Sequence, residues 1–255
     1  MKRFFSSCFI ISISLFSCKS SVKQQTDSIY SRHLQRHLDL TIISTPIPDR
    51  KEEMNLLLFA NSEFLETIRA KKLIDSLYKK KLIQPVTLVA FRGESADYGL
   101  EEIGADKANQ YRKFNKFVSD ELYPFCKKKA VIRKFNSVAI CGFGASALSA
   151  FDIAFNNDDK IQSAGMFYPE FNEGLNNTDT IVLQTIQSLR KRPRIKIFLL
   201  TSEKDSMAHK FNDIISEKHK DSECELITTP GGNKGIISLS SSAMFGSFLL
   251  RAFGR

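Results

Sequence analysis

The sequence predicts an α/β fold, with helices covering both faces of a central, mostly parallel sheet. Three observations predict it. Short apolar runs alternate along the chain with longer segments of helical spacing. Several of these runs are apolar almost throughout, as in strands buried on both faces, instead of alternating apolar with polar. A length of 255 residues with 42% apolar and 25% charged content suffices for one sizeable core.

Residues 38–44 and 54–60 read as the first strands, the second nearly continuously apolar. The spacing of Phe64, Ile68, Leu73, Ile74 and Leu77 predicts one helix over 63–80. A buried strand at 85–91 follows, and then a helix within 106–129 that sets Tyr111, Phe114, Phe117, Val118 and Leu122 on one stripe. The strand at 137–141 runs directly into a helix at 145–155. Later strands are expected at 161–167, 195–201 and 225–228, with helices at 178–190, 207–218 and 240–252. Functional sites of such sheets lie at the carboxyl ends of the strands, so the loops after residues 60, 91, 141, 167, 201 and 228 are the ones to inspect.

Residues 1–17 read as a signal peptide. Met1, Lys2 and Arg3 form a basic start, and 4–16 is an apolar run too short to span a bilayer. The run ends in Leu15-Phe16-Ser17-Cys18, which resembles a bacterial lipobox, although Phe16 is bulkier than usual there. Cys18 is therefore the candidate lipidation site; the alternative is an ordinary secretory signal that happens to contain a cysteine. Residues 18–35 are polar and are expected to be a tether, leaving 36–255 as a single domain. This organisation places the chain in the bacterial cell envelope, periplasmic or surface-facing, with the membrane as a partner through lipid on Cys18.

Beyond the signal, Cys126, Cys141 and Cys224 remain, an odd number that argues against a disulfide framework. His33 and His37 stand four residues apart without a third ligand in view, so no metal site is expected. The net charge of +9 becomes +7 without Lys2 and Arg3. Its basic clusters (79–81, 127–129, 190–194) lie at helix ends or in linkers, where a solvated surface suits the helix C-terminal dipole. No nucleic-acid-binding motif accompanies them, and no nucleic-acid partner is expected.

The loop after 137–141 reads Cys141-Gly142-Phe143-Gly144-Ala145-Ser146-Ala147-Leu148, the setting of a strand–helix nucleophile elbow, G-x-S-x-G. Here the chain resembles the esterase D-like and enterochelin-esterase-like family of the α/β-hydrolase superfamily. Three further segments carry the likeness: Arg92 to Gly99, the helix end Phe117 to Phe125 with its Glu121-Leu122-Tyr123-Pro124, and Leu148 to Ile153 followed by Asp159-Lys160-Ile161. The resemblance implies an α/β-hydrolase fold without a cofactor. It puts the nucleophile at Gly144, the acid at Asp205 within Thr201 to Asp205, and the histidine at Asn233 or Lys234 in Pro230 to Lys234. The oxyanion hole would use the Ala145 backbone with a second N–H near Asn61-Ser62.

On that pattern, the reaction fails twice. Gly144 has no hydroxyl to acylate, and neither asparagine nor an ordinary lysine relays protons as imidazole does. Three readings follow: an inactive esterase-like protein that binds a ligand such as an acylated sugar or siderophore-like ester, or an envelope partner; an active carboxylic-ester hydrolase using relocated residues, Ser146 with His209 being the combination to test; or a structural envelope protein.

Overall fold

A computed structural model describes residues 22–47, 54–93, 112–170, 194–218, 222–230 and 239–255. Its strands are β1 (Lys23–Ser31), β2 (Arg36–Ser44), β3 (Asn55–Ala60), β4 (Val86–Phe91), β5 (Val138–Phe143), β6 (Ser163–Phe167), β7 (Lys196–Ser202) and β8 (Glu223–Thr229). They form an 8-stranded sheet in the order β1-β2-β4-β3-β5-β6-β7-β8. β2 pairs antiparallel with both β1 and β4, and every pairing from β4 to β8 is parallel. This is the α/β-hydrolase fold.

The strict two-residue period of the strands divides the core into two layers. In β3, Leu56 and Leu58 face one cluster while Leu57 and Phe59 face the other. On the first face lie the helical stretch through residues 112–130, the helix Ala145–Asn156 (α4) and the helix Ser206–Lys218 (α5). On the second lie α1 (Phe64–Thr67), α2 (Ala70–Lys79) and α6 (Leu239–Phe253). The 112–130 stretch carries a π-helical segment at Phe117–Leu122 and ends as α3, Tyr123–Ala130. Phenylalanines dominate the second layer: the Phe143 and Phe167 rings stack at 4.5 Å, and Phe245 and Phe248 meet Phe167 edge-on.

Two expectations need correction. The expected tether over 18–35 is not all tether, because Lys23–Ser31 is a nine-residue strand in register with β2. Its side chains are polar and mostly exposed, which hid it from a hydrophobic pattern; the backbone ladder, buried Val22 and half-buried Ile29 hold it. Glu121 of the π-helical segment closes its turn, accepting from the Ser31 hydroxyl at 2.6 Å and the Arg32 N–H at 2.9 Å. The single helix expected over 63–80 is also broken. Arg69 adopts φ 52°, ψ 43°, turning the chain between α1 and α2. Near the break, the Ile68 carbonyl accepts from Ser242 Oγ of α6 at 2.9 Å. The helix expected at 178–190 lies outside the described residues, as does Cys18.

All three described cysteines are free thiols. Burial pushes Cys126 and Cys224 up to about 12 and raises Cys141 well above its ordinary value, so the reactive thiolate is scarce. At pH 8 a disulfide reagent is expected to leave Cys126, Cys141 and Cys224 unlabelled in the folded protein and to label them in denaturant. Rapid stoichiometric labelling of the native chain at these positions would contradict this packing.

Candidate active site

The residues singled out from sequence fall along the carboxyl ends of the strands: Asn61 after β3, Gly144 after β5, Asp205 after β7. At the centre is the β5–α4 turn. A Cβ on Gly142 would lie 2.3 Å from the Ser146 carbonyl oxygen, so strand and helix approach closely enough to require glycine. Gly144 occupies φ 58°, ψ −126°, the strained conformation of an elbow tip, and its N–H donates to Phe167 O at 2.9 Å. A nucleophile at 144 would project from this point, and the residue there carries no side chain.

Glu170, which sequence reasoning did not single out, occupies the neighbouring space. A Cβ on Gly144 would meet Glu170 Oε1 at 3.1 Å, while the Glu170 N–H donates to Gly144 O at 3.3 Å. Position alone, directly after β6, is the only signal that pointed to it.

Ser146 is fully buried and works as a tie. Its Oγ accepts from the Phe143 N–H at 3.0 Å and lies within donating distance of Ala60 O (3.0 Å) and Phe143 O (2.9 Å). It thus joins the ends of β3 and β5 to the first turn of α4. A hydroxyl so placed does not reach a substrate, and the pairing of Ser146 with His209 as relocated nucleophile and base is corrected accordingly. His209 sits four residues along from Asp205, half-buried on α5, its N–H donating to Asp205 O at 3.3 Å.

Both carboxylate oxygens of Asp205 are engaged. Oδ1 accepts from the Ala208 N–H at 3.0 Å, the N-cap bond of α5, and Oδ2 accepts from Thr201 Oγ1 at 2.8 Å. Nearby, Tyr168 Oη and Thr229 Oγ1 lie 3.2 Å apart, and Thr229 Oγ1 donates to Thr201 O at 3.2 Å. The ends of β6, β7 and β8 are therefore cross-linked by polar bonds around the acid position. Asn233 and Lys234 lie outside the described residues.

The oxyanion donors divide. Among the described residues none accepts from the Ala145 N–H at the helix start. Asn61 is at φ 81° and its N–H donates to Phe91 O at 2.9 Å, as does the Ser62 N–H at 3.1 Å. Both donors expected near Asn61 are thus spent on the end of β4, and that call is corrected. His33 and His37 are apart in role: His33 Nε2 lies 3.6 Å from Asp120 Oδ2, and the His37 ring packs on Tyr30. A cavity of about 440 Å³ lies elsewhere, at the amino ends of the strands, between the β1-β2-β4 surface and α3.

The fold recurs in solved esterases. A ferulic acid esterase superimposes with a TM-score of 0.68 at 15% identity, over 91% of this chain and 99% of that one. An IroE-like serine hydrolase from Shewanella oneidensis gives 0.69 at 12% identity, covering 91% and 80%. Enterochelin esterase from Shigella flexneri gives 0.70 at 14% identity over 90% of this chain, which spans 57% of that longer one. No protein-family model matches the chain, and no curated protein matches it.

Ser146→Ala is expected to cost about 1–3 kcal/mol, because it strands the buried Phe143 N–H. Gly142→Ala should fall at or above the top of the roughly 1–3 kcal/mol range of overpacking, because backbone and not a flexible side chain blocks the methyl. Asp205→Ala should cost about 1 kcal/mol as a lost N-cap. Urea denaturation of the three variants checks this order.

Proposed function

We propose that this chain is a lipid-anchored bacterial envelope protein that keeps an esterase fold without efficient ester hydrolysis, its cleft retained to bind an ester-bearing ligand or a partner. The observation that carries the reading is Gly144, in an elbow-tip conformation with φ 58° and without a nucleophile. Removing nucleophile or base from a triad hydrolase lowers turnover by about a millionfold, and here the sequence lacks serine at 144 and histidine at 233 and 234. Backbone donation from Ala145 survives; it polarises a carbonyl without attacking it.

The ligand class follows by analogy from the fold's neighbours, which include a ferulic acid esterase and an enterobactin esterase with enterobactin. An acylated sugar or a siderophore-like ester is the reading we favour. Buried Ser146, whose hydroxyl accepts from the Phe143 N–H and faces two backbone carbonyls, weighs against the active-hydrolase alternative. The Leu15-to-Cys18 sequence supports the anchor.

A fluorophosphonate probe is expected to leave every serine of the native chain unmodified; clean labelling of one serine sinks the reading. Ligand binding is checked by thermal shift with enterobactin and feruloylated saccharides, since a hundredfold excess over Kd stabilises by about 2.7 kcal/mol. No shift with any ester, together with stable co-purification of an envelope protein, would favour the structural alternative. Gly144→Ser combined with Lys234→His, or with Asn233→His, is expected to produce measurable p-nitrophenyl acetate hydrolysis. Cys18→Ala is expected to move the protein from the membrane to the soluble fraction.

A further inference from the structure

The topology gathers cations at one end of the sheet. Every helix that returns to a parallel strand does so at the strand's amino end, and that is where the basic clusters fall. Lysines 79–81 lead into β4, lysines 127–129 with Lys134 into β5, and Arg194 and Lys196 into β7. Register extends the row across the antiparallel edge: Lys23 of β1 pairs with Ser44 of β2, which pairs with Thr87 near the start of β4. Some of these cations are matched, Lys79 by Asp75 and Lys129 by Asp27, both at 2.6 Å, and Lys196 loosely by Glu223 at 3.8 Å. Among the described residues no carboxylate lies within ion-pair distance of exposed Lys80, Lys81, Lys128, Lys134 or Arg194. Among the described residues Asp158, Asp159 and Glu217 are also at this end, fewer than the cations. Among the described residues the elbow end is nearer to balance: Glu63, Glu66, Glu121, Glu170, Glu203 and Asp205 stand there with Arg32, Arg36, Arg69, Lys71, Lys72, Arg92, Arg112 and Lys204.

The chain also enters at the basic end. Buried Val22 precedes β1, whose first residue, Lys23, lies on the row just described. Cys18 is five residues before it, a reach of at most about 17 Å. Between Lys23 and Lys129 the same end opens into the 440 Å³ cavity, floored by Ile42, Met54, Val89 and Phe125. Lys23 beside this apolar recess, where Lys129 is held by Asp27, offers an ammonium group to an anionic headgroup above an acyl chain.

We propose that the amino end of the sheet is a docking surface for an anionic phospholipid bilayer, which holds the molecule with its elbow facing away from the membrane. The short anchor rests on the lipoprotein reading above, whereas the charged surface does not. Exposed cations near an anionic surface act additively, so the five unmatched ones together favour one orientation.

The test reconstitutes the full lipidated chain into vesicles of phosphatidylcholine, with or without about 30% phosphatidylglycerol, carrying an acceptor dye on a lipid. A donor dye is placed at Lys128→Cys on the basic end or at Lys204→Cys on the elbow end; each variant removes one positive charge. On anionic vesicles the donor at 128 is expected to be quenched at least twofold more than that at 204. The difference should collapse at about 1 M salt, where screening acts within about 3 Å. It should also collapse in the variant Lys80→Glu, Lys81→Glu, Lys134→Glu, Arg194→Glu, whose fold is verified by circular dichroism. Equal quenching at the two positions on anionic vesicles overturns the proposal, as does a difference that persists on neutral lipid. So does a charge-reversal variant that keeps its orientation and loses oligonucleotide binding instead. Mass analysis of the Cys18 peptide reads the anchor separately: an unacylated chain that still orients on anionic vesicles removes the lipoprotein reading and leaves this one standing.

Discussion

The contact on which the site depends is the one between Gly142 and Ser146. Any side chain at 142 would run into the Ser146 carbonyl at 2.3 Å. With that space empty, the chain reverses within three residues and α4 packs directly over β5. The Ser146 hydroxyl then closes the turn by taking the Phe143 N–H, which the departing strand no longer pairs. Its reach to Ala60 O couples the turn to β3, the central neighbour of β5. Residue 144 takes positive φ at this turn, and its N–H is held by Phe167 O at 2.9 Å.

At that tip, a serine nucleophile and a glycine differ in more than chemistry. A non-glycine residue at such a φ and ψ stores about 1–3 kcal/mol of strain, tolerated in an enzyme because the exposed hydroxyl is needed. Glycine adopts positive φ without a Cβ clash. Gly144 therefore relaxes the turn while Gly142 and Ser146 keep its shape. Glu170 also stands at 3.1 Å from where a Cβ would begin, so a side chain returning to 144 has to displace a flexible carboxylate and not backbone. The elbow is thus built to stay folded whether or not it carries a nucleophile.

How much of this was legible in the sequence follows from what kind of force holds each part. β3, β4 and β5 are apolar on both faces, and the strands predicted from those runs match the sheet closely. β1 is held by its backbone ladder and by Glu121, ninety residues distant from Ser31, so no local pattern announces it. The break at Arg69 depends on where α6 presents Ser242, again a long-range matter. At the site, Gly142 and Gly144 were readable because glycine spacing encodes backbone shape. The roles of Ser146 and of the Asn61 N–H were not, since each is decided by a carbonyl from another strand: Ala60 O in one case and Phe91 O in the other.

The excess of cations at the amino end of the sheet has two physical sources, and they can be separated. Helix C-termini favour cations and N-termini favour anions through the macrodipole, and in a parallel sheet all C-termini gather at the same end. This accounts for Lys79 in α2 and for Lys127 to Lys129 in α3, which occupy last turns. It does not account for Lys134 and Lys23, which stand outside described helices, nor for Lys196, the first residue of β7. The dipole effect fades beyond the last turn, so these cations gain little from it. Folding alone gives no reason to set them at the same end of the sheet as the point where the chain enters its first strand. An anionic surface against that end does.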